Sequence, residues 1–196
     1  MRTIIFDTEA TDLTPGQICQ ISCLLVDDGA VSGKNYYFTV DRMEPGAQEV
    51  HGLSMEMLEE LSGGEWFEDR AQELYDDFSK AGLIVGHNVA ADENYLRVEL
   101  QRAGLKLKRL NSFCTMNHAT GVMNMARKVV TGRPKPPKLE ELCAHYGVTD
   151  EAILAGCEEW FGGGMQAHDA RWDTAATYLC LKAAIDKGDL RGMQGL

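Results

Sequence analysis

The stretch "RTIIFDTEATDL" (residues 2–13) decides how this chain is read. Its apolar run, Ile4-Ile5-Phe6, is continuous, as in a strand covered on both faces. The reading ends that strand at Asp7. Asp7 and Glu9 stand two residues apart, and because strand side chains alternate, both carboxylates point to one side. Like charges held that close repel, and only a cation or a proton relieves them. With Asp12 nearby, the pair taken alone is an acidic strand end and no more.

Working outward, "QICQISCLLV" (17–26) alternates and then turns wholly apolar, a second strand. "DDGAVSG" (27–33) reads as a turn, and "KNYYFTV" (34–40), rich in aromatic and β-branched residues, as a third strand. The short connections predict an antiparallel meander. Phe67, Ala71, Leu74 and Phe78 then fit a helical period, predicting an amphipathic helix that starts at Ser54 or Glu65 and ends at Lys80. "GLIVGH" (82–87) is a fourth, parallel strand, followed by a helix over 91–103 that Gly104 stops.

"NSFCTM" (111–116) is a short strand or an irregular crossing. In "RKVVTGRPKPPK" (127–138), Pro134, Pro136 and Pro137 forbid helix and sheet interiors alike, leaving a stiff basic loop. "KLEELCAHYGV" (138–148) returns to helix with Leu139, Leu142, Cys143 and Tyr146 on one stripe and Gly147 as its C-cap. A glycine-rich connection, "FGGGMQA" (161–167), leads to a last helix from about Asp169 to Lys187. No linker or repeat interrupts this order. The expectation is one α/β domain over residues 1–196, its mixed central sheet flanked by helices and its N-terminal strands antiparallel.

The 196 residues suffice for one good core. Apolar and charged contents of 44% and 25% are those of a soluble globular domain. No stretch approaches the roughly 20 apolar residues of a membrane span, and Asp7 and Glu9 precede any signal-peptide core. Six cysteines at irregular spacing, with no CxxC pair, speak against a thiolate zinc site. A reducing, cytoplasmic location is the economical reading. The net charge of −11 is the wrong sign for gripping long duplex DNA. Yet ten of the nineteen basic residues lie between Arg97 and Lys138 with one acid, Glu99, while residues 56–77 hold nine acids and a single base, Arg70. The basic segment is either a solvated surface or a place to meet a polyanion.

Asp92, in the first turn of its helix, and Asp173, in the first turns of the last one, each read alone as helix-start carboxylates. Sites in open α/β sheets form at the carboxyl ends of strands and the starts of following helices. Asp7, Glu9 and Asp92 all occupy such places, and a last helix packed across the sheet adds Asp173. Four carboxylates without sulfur make a hard oxygen site, suited to Mg²⁺ or Mn²⁺. A pair of such ions about 3.5–4 Å apart serves in-line displacement at phosphorus, activating water and stabilising the departing oxygen. His168 follows a run of glycines that lets a loop close, and an imidazole can accept water's proton at neutral pH. Its rivals are a polar helix flank and a zinc ligand.

These segments resemble the DEDD exonucleases, in the DnaQ-like branch that uses a histidine. "FDTEATDL" (6–13), "GHNVAADENYL" (86–96) and "HDARWD" (168–173) are similar to the family's three motifs, supplying Asp7 and Glu9, then Asp92, then His168 and Asp173. "VHGL" (50–53) resembles the family's H-G-[IL] segment. The resemblance spans roughly residues 3–183 and implies a ribonuclease H-like fold. It also implies hydrolysis, dependent on two Mg²⁺ or Mn²⁺ ions, from a 3′ end with release of nucleoside 5′-monophosphates. Asp7, Glu9, Asp92 and Asp173 would then be the metal ligands, Asp7 bridging both ions and Asp92 acting through water, with His168 as base. By the same analogy Thr11 and Leu13 touch the terminal nucleotide, His51 supports its pocket, and Leu53 is a wedge against the last base or plain core.

Asn88 fixes the second motif or caps a helix. His87 is open between a packed strand-end residue and a peripheral substrate contact. Arg133, Lys135 and Lys138 guide the strand or serve solubility. Ala91 stands where relatives carry a large aromatic, leaving room near Asp92. The expected substrate is a single-stranded nucleic acid 3′ end, DNA ahead of RNA, with an RNA trimmer and a non-catalytic polymerase-associated adaptor as alternatives. A homodimer and a polymerase partner both stay open. The short end after about residue 188 favours a free-standing enzyme or one that docks through a different face.

Overall fold

A computed structural model describes residues 1–126, 134–163 and 168–192. Strands β1 (Thr3–Ala10), β2 (Ile18–Asp27), β3 (Ala30–Tyr37), β4 (Leu83–Gly86) and β5 (Ser112–Cys114) form one sheet in the order β3-β2-β1-β4-β5. The first three pair antiparallel, and β4 lies parallel to both β1 and β5. The mixed sheet and its N-terminal meander are therefore as the sequence predicts.

The first correction concerns β1, which does not end at Asp7 but continues to Ala10, with a register shift between Glu9 and Ala10. The second concerns the hairpin after β2. Only Asp28 and Gly29 make its turn, at φ 49° and 88°, and Asp27 pairs with Ala30. Two positive φ values in an Asp-Gly pair match the twist of the flanking strands, so Ala30–Gly33 join β3 instead of the turn.

Parity along β1 organises the layers. Ile4 and Phe6 lie in a core with Phe67, Leu74 and Phe78 of α3 (Phe67–Ser79) and Leu96 and Leu100 of α4 (Val89–Arg102). Ile5 belongs to the opposite core, with Leu142 and Cys143 of α6 (Leu139–Tyr146), Ile153 and Cys157 of α7 (Asp150–Phe161), and Ala176, Cys180 and Leu181 of α8 (Ala170–Asp186). Each fully buried Leu or Ile contributes about 1.5–3 kcal/mol. A strand buried on both faces has no solvent side for polar residues, which explains the unbroken apolar run.

The single helix expected to Lys80 is two. Ser54 caps α2 (Met55–Ser62), accepting a hydrogen bond from the Met57 N–H, and Gly63 in the left-handed region ends it before α3 starts. The predicted start at Ser54 is used, and α3 begins two residues after the other, Glu65, with a glycine break between the helices. The sequence reading did not foresee α1 (Pro45–His51), α5 (Thr115–Met123) or α7. Among the described residues no helix is long and apolar enough to cross a membrane.

Candidate functional site

Asp7 and Glu9 share the parity of Ile5, so both carboxylates face the layer that α8 covers. There they meet Asp173. One oxygen from each of Asp7, Glu9 and Asp173 can be chosen so that all three lie within 4.8 Å of one another. All three residues are partly buried, and none forms an ion pair with a described residue. Arg171, two residues before Asp173, bonds to Asp169 at 2.6 Å instead.

Asp92 comes from the other face. Thr8 has the opposite parity, towards α4, and Asp92 Oδ1 accepts from the Thr8 hydroxyl at 2.8 Å and from its N–H at 3.2 Å. The fourth carboxylate is thus tied to the strand between Asp7 and Glu9 without joining the three-oxygen cluster. It is still close enough to act, because its charge is the largest neighbouring influence on Asp7.

Loss of water, followed by the charges of Asp92, Asp173 and Glu9, holds Asp7 well above the usual carboxylate range. Glu9 is pushed up to about 9 by burial and then by Asp173, Asp92 and Asp169. Burial raises Asp92 to about 6 against the Thr8 hydrogen bonds, and raises Asp173 to about 6 against the opposing charge of His168. An all-oxygen set of this kind, crowded and paired with no lysine or arginine among the described residues, fits a hard divalent metal.

His168 precedes α8 with a left-handed backbone, φ 62°, and is exposed. The next residue is anchored firmly. Asp169 caps α8 and accepts from Gln20 Nε2 at 2.8 Å and from the Arg171 N–H and Nε, each at 2.9 Å. Gln20, fully buried, also accepts the Ala170 N–H at 3.2 Å. Sequence reasoning missed Asp169, Gln20 and Thr8. The Asp-Ala pair at the start of a helix is the signal that would have found Asp169; a buried Gln within an apolar strand was the hint for Gln20.

Two cavities lie near the site, one lined in part by Glu9 and the other by His168 and Asp169. One, of about 530 Å³, has Thr8, Glu9, Leu13, Val50, His51 and Tyr95 in its walls. The other, of about 340 Å³, is lined by Tyr37, His51, Leu53, Met57, Leu61 and His168, together with Gln20, Asp169 and Arg171. His51 borders both. Its Nδ1 accepts the Leu53 N–H at 3.1 Å, and burial lowers its pKa. Leu13 is 96% exposed at the rim of the first cavity, whereas Leu53 packs with Cys19, Val40 and Leu58 while lining the second.

Thr11 needs correction. It is fully buried, its hydroxyl accepts the Gln17 N–H at 3.0 Å, its own N–H donates to Gln17 and its carbonyl accepts from Glu44. Its side chain lines neither of these cavities. Asn88 is the N-terminal flank of α4 at φ 80°, exposed and without a side-chain capping bond, so it is not the cap suggested by its residue type.

His87 resolves as a packed strand-end residue, bridging the Thr115 hydroxyl and the Pro137 carbonyl at 3.0 Å each. Lys135 pairs with Glu141, and Lys138 with Glu140 at 3.3 Å, so both have acids of their own. Arg133 and the end of the glycine-rich connection, 164–167, lie outside the described residues.

Comparison with known proteins agrees with this geometry. The model of an exonuclease family, RNase T, matches residues 4–180. The DNA polymerase III subunit epsilon of Buchnera aphidicola is 28% identical over 157 residues, 75% of this chain and 62% of that subunit. Its counterpart in Rickettsia felis is 29% identical over 187 residues, 85% of this chain and 76% of that one. In fold, exonuclease I aligns with a TM-score of 0.72 at 18% identity, over 94% of this chain and 41% of its own. Escherichia coli exonuclease I in complex with a dT13 oligonucleotide aligns with 0.72 at 17% identity, over 93% and 40%. The chain therefore spans 62% of the Buchnera subunit and 41% of exonuclease I.

Proposed function

Since the chain belongs to the exonuclease family, in its DEDDh, DnaQ-like branch with the ribonuclease H-like fold, we propose that it removes nucleotides from the 3′ end of single-stranded DNA as 5′-monophosphates. The observation that carries this reading is the convergence of Asp7, Glu9 and Asp173 oxygens within 4.8 Å. When bound, two Mg²⁺ or Mn²⁺ ions would offset the carboxylate charge, polarise the phosphoryl oxygens and lower the pKa of water.

The residues of the chain have distinct parts. Asp7, Glu9 and Asp173 would hold the ions. Asp92, tethered by Thr8, acts at one remove through water. His168 takes the proton of the attacking water as the P–O3′ bond breaks and the shortened strand leaves with a free 3′-hydroxyl. Its left-handed turn, pinned on the C-terminal side by Asp169, limits how far the ring can swing from Asp173. Leu13, Val50 and His51 border the cavity for the terminal nucleoside.

DNA is favoured because the similar proteins include DNA polymerase III subunits and an exonuclease I complexed with a deoxyoligonucleotide. The former also support a polymerase-associated role. The test uses 5′-labelled single-stranded DNA and RNA with Mg²⁺ or Mn²⁺. The reading requires a ladder that shortens from the 3′ end of the DNA. A ladder on RNA alone would make the protein an RNA trimmer, and binding without products would make it an adaptor.

A further inference from the structure

The chain carries six free cysteines, and the proposed hydrolysis uses none of them. Two are set apart by their surroundings. Cys143 of α6 and Cys180 of α8 belong to the same core, and the Cys180 thiol donates to Cys143 Sγ at 3.6 Å. This is the one sulfur–sulfur hydrogen bond among the described residues. Cys143 is the member of the pair nearer to solvent, 9% exposed against 1% for Cys180.

We propose that Cys143 and Cys180 are an oxidisable dithiol whose disulfide weakens the metal site through α8. The inference rests on the metal-binding part of the nuclease reading. Cys180 and Asp173 are seven residues apart, two helical turns, and so share one face of α8. A disulfide needs its sulfur atoms about 2.05 Å apart, well inside their present contact, so α6 and α8 must close up or turn about their axes. A close-packed interior transmits such a shift. Asp7 and Glu9 stand on β1 and only Asp173 on α8, so the approach of their three oxygens within 4.8 Å depends on where α8 lies.

The chemistry balances with a peroxide as oxidant. Cys143 Sγ attacks one peroxide oxygen and gives up its proton, leaving a sulfenic acid and one water. Cys180 Sγ then displaces the sulfenic oxygen, the S–S bond forms, and a second water departs. Two thiols lose two electrons, and hydrogen peroxide is reduced to two waters. Exchange with an added dithiol reverses the step. This pair should react ahead of the others, because the hydrogen bond from Cys180 lowers the Cys143 pKa whereas burial raises those of Cys19, Cys23 and Cys157.

The test treats metal-free protein with hydrogen peroxide, alkylates the remaining thiols after unfolding, and maps the peptides by mass spectrometry. Cys143 and Cys180 should be joined, with the other four of the six cysteines alkylated. In Mn²⁺ titrations with a nucleoside 5′-monophosphate, the oxidised protein should bind the ion about tenfold more weakly, and dithiothreitol should restore the affinity. Cys143→Ala and Cys180→Ala, each alone, should bind Mn²⁺ as reduced wild type does and ignore the peroxide; melting curves establish that each is folded, and either one suffices. A bond between other cysteines, no bond at all, or unchanged Mn²⁺ affinity once the bond has formed overturns the proposal. Reduced wild-type protein that binds no Mn²⁺ removes the metal reading, and this proposal with it, before any oxidant is added.

Discussion

Two acidic clusters flank the same sheet and are handled in opposite ways. Across β3 and α3, Lys34 pairs with Glu73 at 2.8 Å and Asp77 at 2.6 Å, Arg2 spans Asp27 and Asp77, and Arg70 binds Glu65. At the end of β1, Asp7, Glu9, Asp92 and Asp173 crowd together while the nearest guanidinium, Arg171, is committed to Asp169. In the first cluster the chain supplies its own cations: Lys34 holds Glu73, and Arg2 holds Asp27, below their ordinary range. In the second no described lysine or arginine pairs with the four carboxylates, and all of them rise. Acids paired with local bases are structure; acids held together without them have the chemistry of a divalent-metal site.

The largest effect that should separate the clusters is on activity. Asp7→Asn is predicted to abolish hydrolysis and the stabilisation by Mg²⁺ or Mn²⁺. It should also raise the stability of the metal-free protein, on the order of 1 kcal/mol for each pKa unit of repulsion relieved. Calorimetry with and without metal checks both signs, and a metal-free protein destabilised by the change would place Asp7 among structural acids.

Next is His168→Ala, expected to slow turnover about 10²–10⁴-fold while leaving most of the metal-induced rise in melting temperature. Single-turnover kinetics alongside that melting shift decides it, and wild-type turnover would remove the imidazole from the chemistry.

The pH response comes third. Glu9 at about 9 and Asp92 and Asp173 at about 6 all stand above their ordinary values. A carboxylate with a raised folded pKa favours the folded state fully only below its unfolded pKa, and that advantage is lost as pH rises through the folded value. Metal-free protein should therefore lose stability from about pH 4 upward, first through the Asp92 and Asp173 range and then through that of Glu9. The gain on adding Mn²⁺ should grow over the same interval, because the ion competes with protons. Melting curves across that interval sharpen the contrast, and a metal-free stability that rises with pH would contradict it.

Smallest is Lys34→Met, which strips the paired cluster of a partly exposed cation. Its predicted cost is about 1 kcal/mol, or roughly 2–4 °C in melting temperature, with kcat unchanged. A change in kcat would mean that the two clusters communicate.

The same contrast explains what was legible in the sequence. Ile4-Ile5-Phe6, the Leu139–Tyr146 stripe and the last helix were readable because burial leaves an apolar period, and the convergence of Asp7, Glu9 and Asp173 because these acids sit where that period breaks into polar residues. α1 and α7 were not. In α1 only His51 is buried, and in α7 only Ile153, Gly156 and Cys157, so neither carries enough apolar period to betray a helix. Thr11 read as a substrate contact because local sequence does not say that the loop consumes its hydroxyl. The tether from Asp92 to Thr8, 84 residues apart, depends on which face of β1 each neighbour covers, and parity becomes usable only once the layers are known.

The most direct measurement is titration of Mn²⁺ into the metal-free protein with a nucleoside 5′-monophosphate present, followed by electron paramagnetic resonance. Wild-type protein should remove the free-ion signal saturably, and Asp7→Asn should not. A wild-type protein that leaves the signal of free Mn²⁺ undiminished would contradict the convergence of Asp7, Glu9 and Asp173 on a metal.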